Sequence, residues 1–231
     1  MSAPFNANVN RYSDGIASEY TQEPLHRKRL QIAARLIEAE SSVRPTPTLL
    51  VELASGGVPI TGFMRRPSNL QYLSLDGAVF KDLPGHRQVA CNLEEPWPIQ
   101  DQAADILFAG DVIEHIFDTK HYLSEMRRVV KRGGLVVMTT PNLCAAQDRL
   151  RFLVGLHPRH IAPLHEYLWL HIRPFSKRGL MAACNEFGFS TEACWTNGFV
   201  WRGARRQCEL VCATRLLPGL GNSLVLALRR R

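Results

Sequence analysis

The feature that most constrains the fold is a regular alternation of short apolar runs with longer segments of helical periodicity. Five apolar runs have the length of buried strands, at residues 49–54, 71–75, 88–91, 105–109 and 135–139, and a sixth lies at 223–228. Strands that alternate with helices favour a parallel sheet covered by helices. Such a sheet binds its ligands at the carboxyl ends of its strands.

Helix signals separate these runs. Pro24 begins a segment with apolar residues at helical spacing that extends to about Ser41. Asp118 is a candidate N-cap for a second helix, which we expect to end at Gly133 and Gly134.

Composition excludes several classes of protein. A chain of 231 residues with 45% hydrophobic and 21% charged residues predicts one domain, or one domain with a small lid, and not a disordered polymer. No apolar run approaches the ~20 residues of a membrane-spanning helix. The first twenty residues also lack the apolar centre of a signal peptide. We therefore expect a cytoplasmic protein whose six cysteines are reduced.

The net charge of +7 comes partly from basic clusters at 26–29, 202–206 and 229–231. These clusters are typical of solvated faces and a solubilising tail, or of attraction to an anionic substrate or, weakly through the basic tail, to an acidic membrane surface. The sequence shows no module for sequence-specific nucleic-acid binding.

The segments around the fourth and fifth runs form a recognisable set. Residues 105–115 read DILFAGDVIEH, and residues 128–142 read RVVKRGGLVVMTTPN. Together with NLEEPWPI at 92–99 and HIRPFS at 171–176, this set resembles class I S-adenosylmethionine-dependent methyltransferases over roughly residues 26–229. The resemblance implies a Rossmann-like, doubly wound α/β fold. Its sheet would be mostly parallel and seven-stranded, with an antiparallel last strand and helices on both faces.

We expect two regions along the chain. Residues 1–48 would form an N-terminal segment and helix that is part of an acceptor lid. Residues 49–231 would form the methyltransferase domain, in which 143–172 is a lid insertion.

The resemblance implies S-adenosylmethionine as the cofactor and places its binding loop after the first strand. Glu52 supplies the acidic residue that precedes the family's G-x-G-x-G turn. Ala54 stands at the first glycine of that turn, Gly56 at the second and Val58 at the third. Alanine costs little at the first position if its φ is negative.

Other cofactor residues follow the next strands. Asp76 is placed to accept hydrogen bonds from both ribose hydroxyls, or is a turn residue. Asn92 would accept a hydrogen bond from the adenine amino group, or is a simple turn residue, and Leu93 would flank the adenine. Gly110 and Asp111 would approach the methionine part.

Methyl transfer from a sulfonium mainly needs alignment, but a hydroxyl acceptor also needs a base. His115 and His171 are our candidate catalytic residues, although His115 could equally hold the loop as scaffolding. Histidines concentrate in the span 143–172, where they could line an acceptor pocket, bind a metal or decorate a lid: His157, His160, His165 and His171. Their irregular spacing argues against a metal, so we predict none.

The sequence therefore predicts an S-adenosylmethionine-dependent methyltransferase, most simply an O-methyltransferase. Its acceptor would be a small molecule, or a sugar of a glycan or lipid-linked precursor. A catalytically silent, methyltransferase-like binding or scaffold subunit is the alternative that the unusual loop around Ala54 favours. A nicotinamide-dependent oxidoreductase would need a G-x-G-x-x-G turn, which Ala54 interrupts.

Overall fold

The computed structural model describes residues 21–44, 47–65, 70–80, 86–161, 164, 171–202 and 207–231. Several features of the sequence analysis lie outside the described residues: the first twenty residues, His165, and Arg205 and Arg206 of the second basic cluster.

One eight-stranded sheet forms the centre of the protein, in the order β3-β2-β1-β4-β5-β8-β6-β7. Its strands are β1 (Thr48–Leu53), β2 (Leu70–Asp76), β3 (Arg87–Ala90), β4 (Ala104–Gly110), β5 (Val130–Pro141), β6 (Phe189–Arg202), β7 (Gln207–Thr214) and β8 (Ser223–Arg230). The first five strands pair in parallel, and β8 lies antiparallel between β5 and β6. The predicted fold class is confirmed. The sheet has one strand more than the seven expected, because β7 turns back and pairs antiparallel with β6.

Helices cover both faces of this sheet. The longer ones are α1 (Pro24–Ser42), α2 (Thr119–Val129), α3 (Ala146–Leu153) and α4 (Lys177–Glu186). Short 3₁₀ helices lie at Ile60–Phe63, Ile113–His115, Arg159–Ile161 and Pro218–Leu220. None of the helices in the described part of the chain has the length and apolar character needed to cross a membrane.

Two apolar cores result, one on each face of the sheet. On one face, α1 packs its apolar stripe against side chains of β1, β4 and β5. On the other face, α2 and α4 bury Tyr122, Met126 and Leu180 against the same strands. The predicted cap of α2 is confirmed, since the Asp118 carboxylate accepts a hydrogen bond from the His121 backbone N–H at 2.9 Å.

The end of α2 differs from the prediction. The helix ends at Val129, and Gly133 and Gly134 lie within β5 instead of before it. Val130 pairs with Ala104 of β4, and the next pair joins Leu135 to Ile106, so four residues of β5 bulge opposite one residue of β4. The two glycines therefore serve the bulge, where Gly133 adopts a φ of 69°.

Candidate functional site

The loop after β1 is held in a left-handed backbone conformation. Ala54, Gly56 and Gly57 have φ values of 51°, 58° and 81°. A Cβ at Gly57 would lie 2.9 Å from the Phe80 ring, so this position needs glycine. From the sequence, alanine at position 54 is expected to cost little stability if its φ is negative, and this condition is not met. Its φ is positive, and that conformation costs an L-residue roughly 1–2 kcal/mol.

We therefore expect Ala54→Gly to stabilise the protein by about 0.5–1 kcal/mol, because glycine adopts this φ freely but gains entropy in the unfolded chain. Urea unfolding measures the change. Ala33→Gly is the matched control, since Ala33 lies in the interior of α1 and should lose about 1 kcal/mol. A loss of stability in Ala54→Gly comparable to that control would contradict a strained loop.

Glu52 is hydrogen-bonded to the end of this loop at Ile60. Its side chain is buried and accepts hydrogen bonds from the Tyr72 hydroxyl at 2.6 Å and from the Ile60 backbone N–H at 2.9 Å. Burial raises the pKa of Glu52 to about 8, although the bonds from Tyr72 and Ile60 oppose that shift. Glu52 is therefore bonded to the loop, and we expect substitution of Glu52 to affect cofactor binding indirectly, through the loop.

Asp76 joins the ends of β1 and β2. One carboxylate oxygen accepts the Gly56 backbone N–H at 2.8 Å and the Ser55 hydroxyl at 3.3 Å, and the other accepts the Gly77 backbone N–H at 2.8 Å. Burial raises the pKa of Asp76, and these N–H donors oppose the rise. Asp76 is therefore a turn residue. Its carboxylate also lies at the carboxyl edge of the sheet, where proteins of this fold bind their ligands.

Asn92 and Leu93 follow β3. The Asn92 side chain accepts the Glu94 backbone N–H at 3.1 Å and donates to the Glu95 carboxylate at 3.2 Å, so the turn role is present. Leu93 is 7% exposed and belongs to the apolar core. Contacts of either residue with an adenine stay predictions.

Asp111 follows β4 and forms a buried ion pair that the sequence analysis missed. The Arg29 guanidinium of α1 pairs with the Asp111 carboxylate. This carboxylate also accepts a hydrogen bond from the Thr139 hydroxyl at 2.8 Å. Asp111 has a φ of 54°, and a Cβ at the preceding Gly110 would lie 2.8 Å from the Phe108 ring. The chain therefore passes tightly at the carboxyl end of β4.

Arg29 was grouped with a solvated basic cluster, but its side chain is only 3% exposed. The signal that identifies it is its spacing. Arg29 lies four residues after Leu25 and four before Ala33, on the buried stripe of α1.

Two of the predicted histidines meet just beyond β4. The rings of His115 and His171 are nearly perpendicular, and their centroids are 4.8 Å apart. The Arg173 backbone N–H donates to the Glu114 carbonyl at 3.0 Å, which holds the segment carrying His171 beside the 3₁₀ helix that carries His115. His171 Nδ1 lies 2.7 Å from the His160 backbone carbonyl. Because a carbonyl only accepts, Nδ1 is the donor, and the neutral ring then carries its lone pair on Nε2.

The other histidines of the predicted lid have different surroundings. His160 has a pKa lowered to about 4, mainly by burial and secondly by the Arg159 charge. His157 is exposed, and its carbonyl accepts a hydrogen bond from Arg151.

Glu114 completes the group and had no assigned role in the sequence analysis. Glu114 is 2% exposed, and its carboxyl group accepts the Thr140 hydroxyl at 2.9 Å. Burial raises the pKa of Glu114 to about 7, and the Thr140 bond and the Arg29 charge oppose the rise. One atom each of Glu114, His115 and His171 lies within 4.8 Å of the others. Ligand atoms in a tetrahedral zinc site are ~3.3 Å apart, so these groups would have to contract around an ion. The predicted absence of a metal stays a prediction.

Part of the chain is similar in sequence to known methyltransferases. The sequence profile of the family described as "Methyltransferase domain" matches residues 52–138. A curated protein of Mycolicibacterium smegmatis, described as a probable S-adenosylmethionine-dependent methyltransferase, is 30% identical over 95 residues. That match takes in 41% of this chain and 32% of the relative, so the chain spans about a third of the relative's length.

Solved structures show the same fold at low sequence identity. The Burkholderia thailandensis 1,6-didemethyltoxoflavin-N1-methyltransferase, with bound 1,6-didemethyltoxoflavin and S-adenosylhomocysteine, superimposes with a TM-score of 0.61 at 13% identity over 100% of this chain and 91% of its own. The CurJ carbon methyltransferase gives 0.61 at 14% identity over 93% and 57%. Residues 52–138 of the eight-stranded sheet therefore resemble a methyltransferase domain in sequence, and the whole sheet has the fold of these solved structures.

Proposed function

We propose that the protein binds S-adenosylmethionine and transfers its methyl group to a hydroxyl of a small-molecule or sugar acceptor. The observation that carries this proposal is the arrangement of buried charge at one edge of the sheet. Asp76 ends β2, and the Arg29–Asp111 pair and the Glu114–His115–His171 group lie beyond the carboxyl end of β4. In parallel α/β sheets this edge is where ligands bind.

The residues at this edge match the parts of the cofactor. The Ser55 hydroxyl makes the longest bond to Asp76, and a ribose hydroxyl could take its place on that carboxylate. The amino-acid head of the cofactor carries an ammonium and a carboxylate. Asp111 and Arg29 offer the opposite charges to these two groups, at one place. Gly56 and Gly57 give the loop two successive positions without a side chain, which favours close approach of its backbone to a ligand.

When bound, the cofactor would supply an electrophilic methyl group on a sulfonium that leaves as a neutral thioether. The chain then has to orient the acceptor and accept its proton. We assign the proton to a ring nitrogen of His115, with Nε2 of His171 as the second acceptor at this place. The buried Glu114 beneath them positions the 3₁₀ helix through its bond with Thr140.

The proposed acceptor atom is a hydroxyl oxygen. The superimposed neighbours include an N-methyltransferase and a carbon methyltransferase, and their likeness concerns the fold alone. A hydroxyl acceptor is supported here by the two histidines at the β4 edge, since an alcohol needs a base more than an amine does.

Calorimetric titration of the full chain with S-adenosylhomocysteine tests the cofactor. We expect a dissociation constant on the order of 10 µM, within the usual range for enzyme ligands. An absence of binding to both S-adenosylhomocysteine and S-adenosylmethionine would contradict the proposal. Binding should then be followed by methyl transfer to a panel of alcohols, amines and carbon acids. Binding without transfer to any of them would instead support the silent binding subunit.

A further inference from the structure

The helix α3 has its polar and apolar sides reversed relative to an ordinary surface helix. It buries Gln147 and Asp148, which are 7% and 1% exposed. Phe152 and Leu153 on the same helix are 73% and 81% exposed. A surface helix of a globular protein normally turns its apolar side inward and its charged side to water.

An ion pair fixes this reversed orientation. The Asp148 carboxylate accepts the Arg159 backbone N–H at 2.9 Å and the guanidinium at 2.8 and 3.0 Å. Turning α3 over would break three charge-assisted bonds and expose the carboxylate. The outward position of the apolar side chains is therefore set by the same contacts that fix the helix.

The exposed apolar surface extends beyond α3. Arg149 of α3 donates to the Gly219 carbonyl at 3.2 Å, which ties the helix to the 3₁₀ helix Pro218–Leu220. Seven large apolar side chains that are 47–89% exposed lie on α3, directly after it or directly before the 3₁₀ helix, and we call them the apolar face: Leu150, Phe152, Leu153, Val154, Leu156, Leu216 and Leu217. Exposed apolar groups of this kind mark interaction surfaces.

The charges within the two chain segments that carry the apolar face are almost all positive. Arg149, Arg151 and Arg215 lie in its two segments. Asp148 is the only acidic residue in 143–161, and Arg159 already neutralises it. Residues 214–231 contain no acidic residue. Apolar side chains flanked by arginines are typical of helices that lie in the interface of an anionic membrane.

We propose that the apolar face docks on the surface of an anionic phospholipid bilayer. Phe152 and Leu153 enter the boundary between headgroups and acyl chains, and Arg149 and Arg151 lie at the phosphate level. The helix α3 follows the carboxyl end of β5, so docking turns the ligand edge of the sheet towards the bilayer. A lipid-linked acceptor would be presented there, an extension that rests on the proposed function.

This surface differs from the basic tail that the sequence suggested for membrane contact. Arg229 pairs with Glu40 and Glu192. Arg230 donates to the Val130 carbonyl, and Arg231 donates to the Asn185 carbonyl. The Arg229 charge is therefore neutralised by two carboxylates, whereas Arg149 and Arg151 donate to backbone carbonyls and keep their charge.

Cosedimentation of the full chain with vesicles tests the proposal. We expect binding to phosphatidylcholine vesicles that contain phosphatidylglycerol, weaker binding as salt increases, and little binding to phosphatidylcholine alone. The double variant Phe152→Asp, Leu153→Asp should lower the partition constant by at least about tenfold, since it removes the inserted side chains and adds repulsion. Val43→Asp is the matched control. Val43 is 79% exposed and lies at the end of α1, before β1, so this variant should bind like the wild type.

Circular dichroism and thermal unfolding show whether the double variant is folded. Failure of the wild type to bind the anionic vesicles would overturn the proposal, as would equal binding by the double variant and Val43→Asp. A dimer in size-exclusion chromatography that only the double variant disrupts, without vesicle binding, would instead assign the face to a second copy of the chain. The vesicle assay needs neither cofactor nor acceptor, so its failure is separate from failure of the methyl-transfer proposal.

Discussion

His115→Ala is expected to lower turnover by about 10²–10⁴-fold, the usual loss when a general base is removed. The acceptor is the one identified by the panel described above. The affinity for S-adenosylhomocysteine should stay within about twofold, because the cofactor is expected at Asp76 and at the Arg29–Asp111 pair. Single-turnover kinetics and calorimetry on the same preparation separate the two effects.

The neighbouring histidines supply the controls for that measurement. His171→Ala should also lower turnover, since its Nδ1 bond to the His160 carbonyl leaves Nε2 as a proton acceptor. His157→Ala should behave like the wild type, because His157 is exposed and has a separate contact. A chelator should have no effect on the wild type. Near-normal turnover in both His115→Ala and His171→Ala would show that alignment alone drives the reaction.

Asp76→Ala is expected to weaken binding of S-adenosylhomocysteine by about 30- to 150-fold, or ~2–3 kcal/mol. The variant removes a charged acceptor for the ribose. It also releases the backbone N–H groups of Gly56 and Gly77, which the carboxylate holds at 2.8 Å each. Both losses act on binding in the same direction, and calorimetry reports their sum.

Asp76→Asn removes only part of what Asp76→Ala removes, so it helps to separate the two losses. The amide keeps an oxygen for one backbone donor but loses the charge and one acceptor, so its affinity should lie between those of the wild type and Asp76→Ala. Asp101→Ala is the control, since the Asp101 side chain is 72% exposed and pairs with Arg128 at the surface. Unchanged affinity in Asp76→Ala would place the ribose elsewhere.

Local patterns predicted much of the fold. Strand-length apolar runs and the cap at Asp118 depend on spacing along the chain, and spacing is visible in a sequence. The strand β7 was not predicted. It pairs with β6 at the edge of the sheet, and its apolar run at 210–213 is short and largely exposed, so this run does not have the length of a buried strand.

The sequence also identified residue types at the site, because the motif around Glu114 and His115 sets the order of these residues along the chain. The sequence by itself determined a parallel α/β sheet, the strand ends that carry Asp76, Asp111 and His115, and the position of the loop at Ala54. Only the tertiary structure decided the partners across the chain: Arg29 on Asp111, His171 on His115, and Arg159 on Asp148, which turns the apolar side of α3 outward. The physical reason is that backbone periodicity is a local property. An ion pair between residues far apart in the chain forms only when packing of the sheet and helices brings the two groups together and removes their water.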